Sequence, residues 1–271
     1  MYNELINSAT KEYPFLIKHI NVKYIPHFHQ ETEIVYVLEG ELSFTLGMYS
    51  YLIKKGDICI IPSRLIHNLY TENYSETYVM KLYSIADLSN IHLENHILTK
   101  KDSGYEKLYN YIYDIINENE KKEEYYKLAV NILAEKIFLF ILRETKYHKN
   151  DSKIKMKHIT ENEFLSSINS FLESHYNEDF SLFDIAKHSN YTKSYFCRHF
   201  KRITGITFWE YFTMFRLEKS LQYITASPKE NITVIADRSG FKNVRSFNNA
   251  FKNFYRCTPS EYRKMMNQIE G

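Results

Sequence analysis

The chain has 271 residues, of which 44% are hydrophobic and 25% are charged, and its formal net charge is +2. This is the composition of an ordinary globular protein, and the length predicts two domains rather than one. No run approaches the roughly 18 apolar residues of a membrane span, and the acidic start lacks a signal-peptide pattern. The three cysteines are odd in number and far apart, which argues against a disulfide framework or a cysteine zinc site. The sequence therefore predicts a cytoplasmic protein that does not bind membranes.

Charge is divided unevenly along the chain. Residues 1–152 hold 17 Lys and Arg against 21 Asp and Glu, a difference of −4. Residues 153–271 hold 18 against 12, a difference of +6. This asymmetry fits a polyanion-binding module joined to a sensing or assembly module, although an excess of this size is common in other proteins too.

The first part of the chain is predicted to form a small β-sandwich or barrel. It contains short runs rich in β-branched and aromatic residues, separated by Gly, Pro or Asn. We assign residues 1–102 to this domain. The runs are residues 27–40, 41–53, 56–62 and 76–84.

A helical hairpin is predicted over residues 103–147, where apolar residues begin to recur at helical spacing. Its second helix, residues 123–144, is apolar on more than one side. One face comprises Leu128, Ile132, Leu133, Ile137, Phe140 and Ile141, and the other sides carry Val130, Phe138, Leu139 and Leu142. This excess of apolar residues indicates either a dimer interface or a helix packed between the sheet and the neighbouring helix.

Residues 148–163 are polar and rich in charge, which is typical of a linker between domains. The lysines of this segment either form a solvated spacer or contact phosphate. Residues 164–271 make up the C-terminal domain.

The C-terminal domain contains an internal repeat, because residues 185–211 match residues 235–262 with one extra residue in the second copy. Each copy is predicted to form a helix, a tight turn and a second helix, over residues 181–204 and 231–254. The shared positions include Ile185/Ile235, Ala186/Ala236, Ser189/Ser239, Tyr191/Phe241, Phe196/Phe247, Phe200/Phe251, Lys201/Lys252, Thr207/Thr258 and Tyr211/Tyr262.

The start and the turn of each copy carry suitable residues. Ser181 followed by Asp184 predicts a capping box for the first copy, and either Asn231 or Thr233 caps the second. The turns hold Asn190 and Gly240, which are residue types that tolerate a left-handed backbone.

One face of each second helix lacks carboxylates. Phenylalanines at i and i+4 predict the buried side of these helices, and the opposite side remains in solvent. Arg and Asn make bidentate contacts to guanine and adenine edges, and Lys suits phosphate. A face that was merely solvated would include some Asp or Glu, so the pattern predicts that these faces read double-stranded DNA. The residues are Ser194, Cys197, Arg198 and Lys201 in the first copy and Arg245, Asn248, Asn249 and Lys252 in the second.

Residues 208–224 between the two copies are predicted to form one helix, roughly 25 Å long at a rise of 1.5 Å per residue. A rigid spacer of this size can set the two reading helices about 34 Å apart, which is one turn of DNA. One chain would then read two adjacent grooves.

At these residues the chain resembles the AraC/XylS family of transcription regulators, whose hallmark is a paired helix-turn-helix. The resemblance is specific in the second copy, which reads IADRSGF and then SFNNAFKNFYRCTPSEYR, and fair in the first. The base-facing positions of the family fall on Ser194, Cys197 and Arg198 and on Arg245, Asn248 and Asn249. Arg256 is a departure, since the family usually has Gly there, and a left-handed helix end forms less easily with Arg.

The first domain resembles the cupin domain that many of these regulators use as a sensor. His27, His29, Glu33 and Gly40 reproduce the first cupin motif. Gly56, Pro62 and His67 reproduce most of the second motif, in which Arg64 stands where Gly is usual. The resemblances together cover nearly the whole chain.

Three readings of this first domain remain open. His27, His29 and Glu33 lie on alternate positions of one predicted strand and can share a face, which His67 can join. The set is interpreted first as an effector pocket, with Tyr83 available to stack on a sugar, and otherwise as a structural remnant. In the third reading the same residues bind iron, manganese, nickel or zinc in a metal-dependent cupin enzyme fused to a DNA-binding domain.

The sequence therefore predicts a multidomain bacterial regulator, with a cupin-like domain and helical hairpin followed by an all-α domain with two helix-turn-helix motifs. It is expected to activate carbohydrate-utilisation genes in response to a small molecule, as a homodimer that contacts RNA polymerase. No catalysis and no cofactor are expected. The alternatives are the metal-dependent enzyme and a regulator of virulence or stress genes with an effector that is not a sugar.

Overall fold

The computed structural model describes residues 15–83, 88, 91–149 and 152–269. The described residues divide into two compact units, one ending at Asn162 and the other beginning at Glu163. The first unit is built around a β-sheet and the second is helical, which confirms the predicted fold class. Among the described residues, no helix is both long enough and apolar enough to span a lipid bilayer.

The first unit is an antiparallel β-structure organised around one long strand. Strand β2 bends at a bulge between Val37 and Glu39, so its two halves pair with different partners. Gly40, with φ of 75°, lies at this bend, where a Cβ atom would come within 2.1 Å of the carbonyl oxygen of Tyr74. The sheet order is β1-β6-β2-β4-β8, and β3 and β5 both pair with the second half of β2. The strands are β1 (Phe15–Ile20), β2 (Thr32–Leu46), β3 (Tyr49–Lys54), β4 (Ile58–Ile61), β5 (His67–Tyr70), β6 (Ser75–Leu82), β7 (Ile91–Leu93), β8 (Ile97–Leu98) and β9 (Tyr147–Lys149).

Two helices cover one face of this sheet, as the sequence predicts. They are α1 (Tyr105–Lys121) and α2 (Tyr126–Glu144). Lys107, near the start of α1, forms an ion pair of 3.0 Å with Glu144 at the end of α2, which shows that the helices are antiparallel. Their apolar sides join Ile34, Ile58, Ile60, Met80 and Leu82 of the sheet in one core.

The predicted buried face of α2 is partly wrong. Leu128 and Ile132 are 58% and 50% exposed, whereas Val130 and Phe138 are buried. Because α2 is apolar on several sides, periodicity alone does not decide which side packs against the sheet and α1.

The segment predicted as a linker, residues 148–163, contains the division between the two units, but it includes the end of β9 and the beginning of helix α3 (Ser152–His175). The apolar residues that anchor α3, among them Phe164, Leu165, Ile168 and Leu172, are buried and lie after this polar stretch. The first turns of α3 are polar and lack a periodic apolar face, so their sequence resembles a solvated spacer. The division between the two units falls within α3.

The second unit consists of helices that follow the internal repeat. Its two helix-turn-helix copies are α4 with α5 and α7 with α8, and α6 connects them. The helices are α4 (Leu182–His188), α5 (Lys193–Thr204), α6 (Phe208–Ala226), α7 (Ile232–Arg238), α8 (Val244–Tyr255) and α9 (Pro259–Ile269).

Candidate DNA-reading helices and a polar cluster in the barrel

Aromatic packing fixes the orientation of α5. Phe196 and Phe200 are fully buried, and both contact Phe208, with ring centroids 5.3 and 5.5 Å apart. Phe200 also contacts Tyr211 at 5.2 Å. Phe164 of α3 completes the cluster at 6.0 Å from Phe196. Because these residues occupy one side of α5, the opposite side must face solvent.

The second copy repeats this arrangement in α8. Phe247 and Phe251 are fully buried and lie 5.5 Å apart. Phe241 contacts Phe247 at 5.1 Å, and Tyr262 of α9 contacts Phe251 at 5.7 Å. The aromatic anchor of α8 therefore has the same i and i+4 spacing as that of α5.

The predicted turns and caps of the repeat are confirmed. Asn190 and Gly240 have φ of 57° and 82°, which places both in the left-handed region. Ser181 and Asp184 form the capping box of α4, and Asn231, rather than Thr233, caps α7. Arg256 forms a left-handed helix end although it is not glycine, since it has φ of 61° and its backbone N–H donates a hydrogen bond to the carbonyl oxygen of Lys252 at the end of α8.

Further caps begin the two candidate reading helices. The side chain of Thr192 accepts a hydrogen bond from the backbone N–H of Tyr195, and the side chain of Asn243 accepts one from that of Ser246. Both α5 and α8 therefore start with a side-chain cap directly after the turn.

The eight residues predicted to contact DNA fall on the solvent side of these helices to different degrees. Cys197 and Asn248 are half-buried, and the buried side-chain oxygen of Asn248 has no hydrogen-bond partner among the described residues. The other six are exposed: Ser194, Arg198 and Lys201 on α5, and Arg245, Asn249 and Lys252 on α8.

The four cupin-motif residues converge inside the barrel. One side-chain donor atom from each of His27, His29, Glu33 and His67 lies within 4.8 Å of the others. The Nε2 of His29 is 2.9 Å from Oε2 of Glu33, and the Nε2 of His67 is 3.9 Å from the same oxygen. Glu33 and His67 are almost completely buried.

Backbone contacts orient the three imidazoles. The Nδ1 atoms of His27 and His67 lie 2.8 Å from the carbonyl oxygens of Ile25 and Leu65, respectively. The Nδ1 of His29 lies 3.0 Å from the carbonyl oxygen of Glu31. A carbonyl oxygen only accepts hydrogen bonds, so each Nδ1 carries a proton. In a neutral imidazole the Nε2 then has a free lone pair, and metal-ligating histidines are commonly oriented in this way.

The shifted pKa values of the cluster leave too few protons for its imidazoles and its carboxylate to hydrogen-bond to one another. Burial lowers the pKa of His27 well below 6.5 and also lowers that of His29. Burial alone would raise the pKa of Glu33, but contacts with His29 and His67 outweigh it and hold that pKa well below its usual value. Glu33 Oε1 and His67 Nε2 have no hydrogen-bond partner among the described residues. A buried carboxylate facing imidazole lone pairs is stable only with a proton or a metal ion between them.

A divalent metal ion fits the spacing of these atoms. Bonds of about 2.1 Å hold neighbouring donors about 3.0 to 3.4 Å apart, and opposite donors about 4.2 Å apart. The distances from Glu33 Oε2 to His29 and His67, 2.9 and 3.9 Å, lie near these values, and all four donor atoms lie within 4.8 Å of one another. Three imidazoles and one carboxylate are ligands suited to zinc, iron, nickel or manganese.

Glu31, which was not among the predicted site residues, connects Tyr83 to this cluster. The hydroxyl of Tyr83 donates a hydrogen bond of 2.5 Å to Oε1 of Glu31, and Oε2 of Glu31 lies 3.5 Å from Nδ1 of His29. Burial and this bond raise the pKa of Tyr83 to about 12.

Other polar residues of the barrel interior were also missed. The hydroxyl of Tyr24 lies 2.7 Å from Nε2 of His19, whose pKa burial lowers to about 4. Lys81 of β6 is only 3% exposed. Strand alternation could have indicated Lys81, since it alternates with Thr77 and Val79 on the inner side of β6.

Comparison with known proteins matches both units. Residues 185–265 match the model of a helix-turn-helix domain, and residues 21–86 match that of a cupin domain. The Msm operon regulatory protein of Streptococcus mutans is 26% identical over 255 residues, which cover 88% of this chain and 86% of that protein. The uncharacterized HTH-type transcriptional regulator YdeC of Bacillus subtilis is 26% identical over 270 residues, covering 89% of this chain and 87% of YdeC.

A solved structure shares the fold. Unsaturated fatty acid bound wild-type ToxT from Vibrio cholerae superposes with a TM-score of 0.51 at 13% identity, covering 94% of this chain and 96% of ToxT. At this identity the likeness concerns the fold alone.

The helix-turn-helix repeat and the cupin domain define a DNA-binding transcription regulator rather than an enzyme. Its relatives are named as regulators, and both domains are those expected from the sequence. Its helix-turn-helix domain is of the AraC type, and the chain is similar to transcription regulators over most of its length.

The turn of the second copy should tolerate substitution less than that of the first. A Cβ atom at Gly240 would lie 2.2 Å from the carbonyl oxygen of Tyr176, which belongs to the backbone and cannot move aside easily. Gly240→Ala should lower the free energy of unfolding by about 2 to 3 kcal/mol. Asn190→Ala, at the equivalent left-handed position, should cost only about 1 kcal/mol. Chemical denaturation of the full chain measures both values, and equal losses would contradict the steric argument.

Proposed function

We propose that the chain activates carbohydrate-utilisation genes in response to a small molecule, and that it reads its operator with the solvent sides of α5 and α8. The observation that carries this proposal is the matched pair of aromatic anchors, which turns a carboxylate-free side of each helix outward. We infer that Arg198, Arg245 and Asn249 contact base edges and that Lys201 and Lys252 contact phosphate. Ser194, Cys197 and Asn248 complete the two reading faces.

The connection between the reading helices suits two successive major grooves. Helix α6 has 19 residues, which corresponds to a length of about 28 Å. A helical spacer of that length is close to the 34 Å or so that separate equivalent grooves on one side of the duplex. Because the target is genomic DNA, we place the protein in the bacterial cytoplasm.

The two kinds of DNA contact should respond differently to substitution. Arg245→Ala should cost about 1 to 3 kcal/mol of binding free energy on the operator and relax the preference at one base pair. Lys252→Ala should weaken binding to all sequences alike and reduce the salt dependence of log K by about 1. Fluorescence anisotropy with operator and random duplexes separates these outcomes. Lys229→Ala, outside both reading helices, serves as the control.

Upstream genomic fragments supply the operator for this measurement. Equal losses on operator and random duplexes for Arg245→Ala would contradict its assignment to a base. The absence of preferential retardation of any upstream fragment in a gel shift, with or without candidate effectors, would contradict the proposed function itself.

The effector site is proposed to be the polar cluster of the barrel. His27, His29, Glu33 and His67 provide donors and acceptors for hydroxyl groups, and Tyr83 adds an aromatic ring close to Glu31. The similarity to a protein named as an operon regulator supports control of a gene cluster. Occupation of the barrel would favour one of two conformations of the regulator and thereby change promoter occupancy or contact with RNA polymerase.

Homodimerisation is proposed to occur through α2. Leu128, Ile132 and Leu139 are 58%, 50% and 45% exposed. Their spacing of four and seven residues places them on one side of the helix, as in a coiled-coil seam. A second copy of the chain would cover this side with its own Leu128, Ile132 and Leu139.

Formation of the dimer should depend on the three exposed apolar residues of α2. Multi-angle light scattering at micromolar concentration should give twice the chain mass of 32.6 kDa for the wild type and the monomer mass for Ile132→Glu. Tyr113→Glu is the matched control, because Tyr113 is equally exposed at 50% but lies on α1. A monomeric wild type would contradict the proposal, and so would an unchanged Ile132→Glu dimer.

A second candidate function, metal binding in the barrel, is favoured by the convergence of the His29 and His67 Nε2 atoms on Glu33, with a ring nitrogen of His27 within 4.8 Å of the same group. His27, His29, Glu33 and His67 would hold the ion. A bound divalent ion would supply Lewis acidity and attract the oxygen atoms of an effector. In a regulator, these properties of the metal ion would serve to bind the effector. The three backbone carbonyls that orient the imidazoles would keep the metal-binding histidines in place.

Metal binding should be stoichiometric and depend on His29. Elemental analysis after loading with zinc and gel filtration should give one ion per chain for the wild type and a large loss for His29→Ala. His148→Ala controls for incidental binding, since the His148 side chain is 72% exposed and lies outside the cluster. An unloaded wild type, or equal zinc contents in wild type and His29→Ala, would contradict the metal site.

A further inference from the structure

Lys81 is a buried cation in the barrel that the proposed DNA binding and metal binding do not use. It lies on β6 directly opposite Glu33 on β2. Residues opposite each other in an antiparallel pair point to the same face of the sheet, so Lys81 is on the face that carries Glu33. The residue is only 3% exposed. Its charge therefore lies inside the barrel, beside the polar cluster.

The influence of Lys81 on its neighbours supports this placement. The pKa values of His19, His27 and His29 are lowered, mainly by burial, and the positive charge of Lys81 contributes to each shift. The charge of Lys81 therefore acts on His19 of β1 and on His27 and His29, which precede β2.

Lys81 nevertheless has no bonded partner within the described part of the chain. No hydrogen bond or ion pair of its ammonium group is found there, and its cross-strand neighbour Glu33 is engaged with His29 and His67 instead. Buried lysines are rare unless they are paired, because an unpaired ammonium group loses its hydration without compensation. An anionic group of a ligand is the simplest chemical complement of this ammonium group.

A second buried lysine shows the contrast. Lys23 is 6% exposed, but its ammonium group lies 4.9 Å from the centre of the Tyr70 ring. That cation-π contact gives Lys23 a structural partner. Lys81 has no such ring contact in the described residues.

We propose that the effector is an acid, and that its carboxylate binds Lys81 while its other oxygen atoms face His27, His29, Glu33 and His67. This inference rests on the proposed effector site, and it narrows the carbohydrate effector to a sugar acid or a related hydroxy acid. The two sides of the site have different roles. Lys81 selects for negative charge, and the imidazole cluster recognises oxygen donors, with or without a metal ion.

A pair of small probes of the same shape tests the inference. Oxalate and oxamide differ in charge but hardly in size, and calorimetric titration of the full chain compares their affinities. The protein is first treated with EDTA and dialysed, so that chelation of metal does not contribute. Oxalate should bind about tenfold or more tightly than oxamide, because only oxalate forms an ion pair with the ammonium group, in which donor and acceptor are both charged.

Three variants assign this preference to Lys81. Lys81→Met keeps a side chain of similar length without the charge and should abolish the preference for oxalate. Lys81→Arg keeps the charge and should retain it, and Lys23→Met should behave as the wild type. Should Lys81→Met fail to fold by circular dichroism, Lys81→Gln takes its place, and the comparison of the two probes in the wild type remains decisive.

The outcomes separate this inference from the proposed function. Equal or undetectable binding of the two probes to the wild type would overturn it, and so would full oxalate affinity in Lys81→Met or Lys81→Gln. Operator binding in the gel shift would leave the regulatory function intact in that case. With the acid preference established, D-glucuronate, D-glucose and glucose 6-phosphate are compared next. Tighter binding of D-glucuronate would support the carboxylate, and tighter binding of either of the other two would overturn it.

Discussion

The burial of two phenylalanines one helical turn apart is the constraint on which the DNA-binding unit depends. Phe196 and Phe200 in α5, and Phe247 and Phe251 in α8, are completely removed from solvent. Burial of a phenylalanine side chain contributes about 2 to 3 kcal/mol, which exceeds the contribution of any single exposed polar contact on the same helix. The aromatic pair therefore determines the rotation of each helix about its axis. Which side chains reach solvent follows from this packing and not from their own interactions.

Residues with positive φ show that tertiary packing can override the low preference of most residue types for the left-handed conformation. Gly240 is required because the backbone of Tyr176 approaches it closely, while the equivalent Asn190 retains a side chain. Arg64 and Arg256 also have positive φ, of 65° and 61°, although each stands where the related motif usually has glycine. A left-handed conformation costs a residue such as arginine roughly 1 kcal/mol or more. The helix end at Arg256 and the turn at Arg64 form in spite of that cost.

The sequence predicted those features that depend on short-range patterns. The repeat, the capping box at Ser181 and the left-handed turns each follow from a few neighbouring residues, and they were predicted correctly. The buried side of α2 and the start of α3 were not, because both depend on which distant element covers the helix. The position of Lys81 opposite Glu33 was missed for the same reason. Its strand is apolar enough to be predicted, but only the pairing with β2 shows that the lysine faces Glu33.

The barrel interior presents a different physical problem from the helical unit, because it buries polar groups that do not satisfy one another. The Nδ1 of each imidazole is held by a backbone carbonyl, and the Nε2 atoms of His29 and His67 face the Glu33 carboxylate. Lys81 places a positive charge nearby without an ion pair to Glu33. A purely structural interior would replace such groups with apolar side chains at little cost to stability. An interior that keeps electron-pair donors and a cation side by side is suited to a ligand that carries both an acid group and further oxygen atoms, and binding of that ligand would satisfy both sets of groups at once.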